Sequence, residues 1–178
     1  MSDLTELGQI LHEEHFRILV AICGLENRIG EKYANLPLDP DQPEDKKQLK
    51  ELIAALGDVI GHHDFEETVI FPLIQSRDNG ELARLLTQEH CAIEPMALRL
   101  QMIAEDILFL GTSPGRWVEF RQAASALIAE VMQHLQKEEH LIVQHLDDFL
   151  DAETDHELAV NHLAERAPPS AVSAELRR

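Results

Sequence analysis

The sequence has almost no cysteine and few aromatic residues. Only two cysteines, Cys23 and Cys91, occur in 178 residues, which excludes a disulfide-framed secreted module. Six Phe, one Tyr and one Trp are too few for the core of an all-β domain. Glycine and proline number eight each and fall in clusters, so the regularly spaced turns of a sheet are missing. No apolar run reaches the roughly 18 residues of a membrane span. The opening MSDLTELGQI has no basic stretch leading into an apolar one, so no signal peptide is expected and the cytoplasm is the expected location. Positive charge is scarce too: 33 acids face 15 bases, a net charge of -18. Such a surface repels phosphate backbones and anionic lipid heads, which excludes nucleic acid and membranes as partners.

What is present is long helical pattern. Apolar residues make up 44% of the chain, in runs separated by short breaks. A first helix is expected to open at Asp3, with Glu6 completing a capping box, and to run to about Tyr33. LPLDPDQP breaks it, and Pro43 suits the first turn of a second helix reaching about Ser76. The turn RDNG leads into a third, from about Glu81 to Leu110. Gly111 ends that helix, and Ser113 and Pro114 start a fourth that is expected to reach about Leu150. Thr154 and Glu157 form the capping box of a short fifth helix. The fold class expected is all-α: an up-down-up-down four-helix bundle over residues 1–151, with a short extra C-terminal helix and a mobile tail over 152–178.

The chain repeats a charged phrase. LHEEH at 11–15 resembles LTQEH at 86–90, and HHDFEE at 62–67 resembles HLQKEE at 134–139. Residues four apart on a helix share a face, so His62 points with Glu66 and His134 with Glu138. Counting from the RDNG end, at about 1.5 Å per residue, His15, His62, Glu66, His90, His134 and Glu138 fall within roughly 11 Å along the bundle. Burying six such groups unpartnered would cost several kcal/mol, and a pair of metal ions is the natural partner.

Four helices carrying H…HxxxE…H…HxxxE resemble the hemerythrin-like (HHE cation-binding) family of di-iron bundles, over about residues 5 to 150. The resemblance implies two iron ions, with manganese a rival, one held by His15 and His62 and the other by His90 and His134, bridged by Glu66 and Glu138. His62 is preferred to His63 because it aligns with His134, whereas His63 aligns with Leu135 and is turned about 100° away. Oxygen-carrying hemerythrins have a histidine one turn after the one on helix three, where this chain has Glu94. Glu94 is expected to be a further ligand, closing a position open to a small molecule. The alternative is a glutamate turned outward at the bend that Pro95 imposes.

Around this set, Asp58 and Glu130 precede His62 and His134 by four and are candidates for orienting those imidazoles. Glu67 and Glu139 are expected in solvent or just outside the ligands. His12, His140, His145, His156 and His162 are expected at the surface, and Cys23 and Cys91 as small core residues. Phe16, Phe65 and Phe71 are expected to wall the site. The function implied is binding or sensing of O2, NO or redox state through a small diatomic or anionic ligand. A di-iron oxidase, peroxidase or NO-handling enzyme, or an iron storage or delivery protein, are the alternatives.

Overall fold

The computed structural model describes residues 4–76 and 80–166. Among these the chain is helical throughout, a bundle with no strand. Four long segments form it: α1 (Glu6–Ile29), α2 (Pro43–Phe65), α4 (Gly80–Leu110) and α5 (Pro114–Leu141). Each packs on two others, α1 on α2 and α5, and α4 on α2 and α5, so the four enclose one interior. A π-helical turn, Glu66–Ile70, continues α2 into α3 (Phe71–Ser76), and the short α6 (Leu146–Phe149) leads to α7 (Ala152–Arg166). No described helix is long and apolar enough to cross a membrane.

The helix boundaries follow from local chemistry. Thr5 caps α1, its hydroxyl accepting from the Gly8 N–H at 3.0 Å. The expected cap, Asp3, lies outside the described residues, as do Arg77, Asp78 and Asn79 of the RDNG turn. α1 stops at Ile29, and a single 3-10 turn covers Glu31–Tyr33. Pro43 and Pro114 occupy first-turn positions that need no N–H donor. Gly111, at φ +81°, supplies the left-handed residue that ends α4. Ser113 then caps α5 by accepting from the Arg116 N–H. Pro95 lies within α4, which continues through it.

Two further boundaries differ from expectation, besides the end of α1 at Ile29 instead of about Tyr33. α5 ends at Leu141, well short of Leu150, because the chain then turns so that Ile142, Val143 and Leu146 all enter the core. The fifth helix begins at Ala152 and is capped by Asp151, whose carboxylate accepts from the Thr154 N–H at 2.9 Å. Thr154 is therefore in the first turn instead of before it.

The interior has three levels. One apolar cluster holds Ile18, Val59, Ile93 and Val131, and continues to Trp117 and Phe120 at the end of the bundle near Gly111. A second holds Leu11, Ile70, Leu86 and Ile142, with Leu7, Phe71 and Ile74. Each fully buried side chain of this size contributes about 1.5–3 kcal/mol. Between them, on every long segment, the sequence changes to His and Glu: Leu11 to His15 to Ile18, Val59 to His62 and Glu66 to Ile70, Leu86 to His90 to Ile93, Val131 to His134 and Glu138 to Ile142. A polar layer thus lies inside a dry bundle.

Candidate metal centre

Six of the seven side chains singled out in the sequence meet in this layer. His15, His62, Glu66, His90, His134 and Glu138 are all buried, with exposures from 0 to 5%. The Nε2 atoms of His15 and His62 approach to 2.9 Å, and those of His90 and His134 do the same. Glu66 and Glu138 lie between the two imidazole pairs. Glu66 Oε1 is 3.3 Å from His62 Nε2, while its Oε2 is 3.5 Å from His90 Nε2. Glu138 Oε2 is 3.6 Å from His15 Nε2, and its Oε1 is 3.0 Å from His134 Nε2. Each carboxylate offers one oxygen to each pair.

Two overlapping four-donor groups result. His15, His62, Glu66 and Glu138 form one, and Glu66, His90, His134 and Glu138 form the other, with donor atoms within 4.8 Å of one another. All four oxygens of Glu66 and Glu138 are buried without a hydrogen-bond partner. Polar atoms so deeply buried are nearly always satisfied, so a cation fits where these six groups converge.

His63 corrects the expectation that it turns away. It is buried, stacks on His90 with ring centroids 3.7 Å apart, and forms a third group with His90 and His134. The interior arc of a packed helix spans 100° or more, so adjacent residues can both face inward, and here they do. The π turn beginning at Glu66 follows directly, and such turns recur at functional sites. Glu94 is not brought to the other six. It is partly exposed and belongs to none of the three groups, with Oε1 3.8 Å from His63 Nδ1. His63 from α2, and not Glu94, is the residue that groups with His90 and His134.

Each of the four imidazoles other than His63 is held from behind by an acid. Glu14 accepts from His62 Nδ1 at 2.9 Å, and Glu89 from His134 Nδ1 at 3.0 Å. Glu67 accepts from His90 Nδ1 at 2.9 Å, and Glu139 from His15 Nδ1 at 3.2 Å. These bonds turn the Nε2 atoms of His15, His62, His90 and His134 toward the centre. The sequence carried their signal in the acid before each helix-one and helix-three histidine, and after each bridging glutamate. Asp58 and Glu130 do not take this role. Asp58 is exposed and meets Arg166, and Glu130 is exposed on α5. His12, half-exposed, donates to Glu139 at 2.7 Å.

The surroundings bring further corrections. His162 is buried, its Nε2 2.8 Å from Glu14, whereas a surface position was expected. Cys23 and Cys91 are exposed thiols and not core residues. Phe16 is 60% exposed, so only Phe65 and Phe71 wall the site. Phe71 stacks near His90 at 5.2 Å, and Phe65 lies 3.9 Å from the His162 ring.

Electrostatics matches a site built for positive charge. Burial by itself would raise the Glu66 carboxyl, yet the adjacent His62 holds it well below the ordinary range. Burial would likewise lower His62 and His90, but Glu66 and Glu138 push both up to about 10. His63, buried and next to His90 and His134, is pushed down to about 2 and stays neutral. A neutral imidazole such as His63 has no proton to lose before it binds a metal.

Residues 9–146 match the family model of the hemerythrin HHE cation binding domain. The chain belongs to that family. No curated protein sequence matches it. The hemerythrin match covers α1 from Gln9 onward, the other three long segments and every residue of the three metal-donor groups, and stops before α7. His162 and Arg166, which reach Glu14 from α7, therefore lie outside the matched residues.

Proposed function

We propose that this hemerythrin-family chain holds two iron ions and binds or senses a small molecule such as O2, NO or a small anion through them. His15 and His62 would hold one ion; His90, His134 and His63 the other; Glu66 and Glu138 would span both. The observation that carries the reading is the division of each buried carboxylate, one oxygen facing each imidazole pair. The reading takes the four long helices to alternate up and down, which lets each supply one turn to the same plane. Imidazole and carboxylate donors suit iron, with manganese the rival metal.

Bound iron would supply a reversible electron and a coordination position. The protein would do the rest. Glu14, Glu67, Glu89 and Glu139 fix the imidazoles, and the two apolar clusters exclude water on either side. The two halves are not alike. His63 faces His90 and His134, while its counterpart in the repeat, Leu135, has no donor and lines a groove with His15. A small ligand is therefore expected at the His15 and His62 half. Glu94 enters this reading as the acid beside His63.

The groove also favours a second reading. It lies between α1 and α5, encloses about 420 Å³, and is lined by Phe16, Leu19, Met132 and Leu135 with His15 at its edge. A small organic substrate fits there, as an oxidase or peroxidase would need. The enclosed donors argue against iron storage or delivery, which needs labile ions. Elemental analysis of protein from iron-replete cells should give about two iron ions per chain, and stopped-flow mixing of the reduced protein with O2, NO and peroxide separates the readings. A stable adduct supports binding or sensing, and turnover supports the enzyme. One zinc per chain would overturn the di-iron reading.

A further inference from the structure

α7 lies outside the residues that match the hemerythrin model, yet it packs along α1 with polar groups on either side of a buried alanine. Asp155, Ala159, His162 and Arg166 recur at helical spacing, and the first three are buried. Asp155 accepts from the Glu6 N–H at 2.9 Å and from the Leu7 N–H, holding the first turn of α1. Further along the same seam, His162 Nε2 and Arg166 Nη1 both donate to Glu14 Oε1, at 2.8 and 2.6 Å. The other oxygen of Glu14 accepts from His62 Nδ1. An unbroken chain of hydrogen bonds thus runs from α7 through Glu14 to one imidazole of the centre.

Two of the other three acids are backed from the surface: Glu89 by Lys137 of α5 and Glu139 by the half-exposed His12. Glu67 has a side chain 37% exposed. Glu14 is buried at 4%. A carboxylate with both oxygens engaged by three donors cannot rotate without breaking two charge-assisted or buried hydrogen bonds. It holds His62 in one orientation, and among the four acids it alone does so from the buried interior.

We propose that His162 and Arg166 are positioning residues for the metal centre, locking Glu14 and through it His62, so that α7 sets how tightly the His15 and His62 half keeps its ion. The proposal rests on the two-ion reading of the site. Loss of a partner that orients a ligating imidazole weakens metal binding by roughly 10–100-fold.

The test uses the full iron-loaded chain, with release of reduced iron to ferrozine followed in time. His162→Leu keeps the volume and removes the donor; His162→Gln restores a donor; Arg166→Gln weakens the second contact. Asp155→Asn loosens the same α1–α7 seam away from Glu14. One of two iron equivalents should leave roughly 10–100-fold faster in His162→Leu, less so in Arg166→Gln, and at the unaltered rate in His162→Gln. Asp155→Asn should lower Tm and leave the ratio of the two release phases unchanged. Unaltered release in His162→Leu, or equal acceleration of both phases in His162→Leu and Asp155→Asn, overturns the positioning role. If the unaltered chain lacks two iron equivalents, the di-iron reading has failed instead. The metal-free chain then decides: the His62 Nδ1–H resonance should be sharp in the unaltered protein and His162→Gln and broadened in His162→Leu, and equal signals in all three overturn the proposal.

Discussion

Glu66 and Glu138 meet at the centre of the bundle with all four carboxylate oxygens buried and none in a hydrogen bond. They belong to both four-donor groups, within 4.8 Å of the imidazole nitrogens. Two such anions side by side repel each other unless cations lie between them. Glu66→Gln and Glu138→Gln keep the shape and remove the charge. Each substitution should reduce iron content from about two ions per chain to one or fewer, read by elemental analysis. Two ions retained in both variants would mean that the carboxylates do not bridge.

Removal of metal should destabilise the protein. A ligand present at about 100 times its Kd adds roughly 2.7 kcal/mol to the folded state, and for a chain of this length each kcal/mol shifts Tm by about 2–4 °C. Treatment of the reduced protein with an iron chelator should therefore lower Tm by about 5–10 °C in calorimetry. A metal-free form that melts with the loaded one would place the ions at the surface.

Much of this centre was legible in the chain because helical spacing is rigid. His62 and Glu66, or His134 and Glu138, can only share a face, and the repeated phrase put both pairs at one level. His63 was misread because spacing within one helix cannot say how wide an arc its neighbours bury. The four acids behind the imidazoles were visible as adjacent Glu residues, but their contacts cross between helices, which spacing does not report. His162 was misjudged for a related reason. Its burial depends on α7 lying along α1, a packing choice made by Asp155 capping a helix that begins 149 residues earlier.

The metal-free protein should also be less stable in alkali. His62 and His90 have folded pKa values of about 10 against an ordinary 6.5, so the folded state binds more protons between those limits. Their contribution is full below pH 6.5 and is lost as pH rises through about 10. Glu14 and Glu66 are held below their ordinary 4.5, and their contribution is present above that value and lost on acidification. His63, pushed from 6.5 down to about 2, opposes protonation, so its term also favours folding less as pH falls below 6.5. Thermal melts of the metal-free chain should show Tm greatest near pH 6.5 and declining toward 10. Iron affinity should move the other way and rise over that range, because protons must leave His62 and His90 for metal to bind. A metal-free Tm that climbs steadily from 6.5 to 10 would contradict the charges assigned to these two imidazoles.

His63 and Glu94 make competing claims on the same half of the centre, and two substitutions separate them. His63→Leu copies Leu135, the residue at the matching place in the repeat, and changes volume little. If His63 is the third imidazole beside His90 and His134, its loss should weaken retention of that ion by more than the roughly 10–100-fold that losing an outer partner costs. It should also open a coordination position, so azide, watched through its ligand-to-iron charge-transfer band, should bind at both halves instead of one. The metal-free variant should be no less stable than the unaltered chain, because His63 Nδ1 is buried without a partner and such a group costs about 1–3 kcal/mol. Glu94→Ala should leave iron content and azide stoichiometry unchanged, since Glu94 stands outside every donor group. The reverse pattern, a second azide in Glu94→Ala and none in His63→Leu, would return Glu94 to the metal and put His63 among the packing residues.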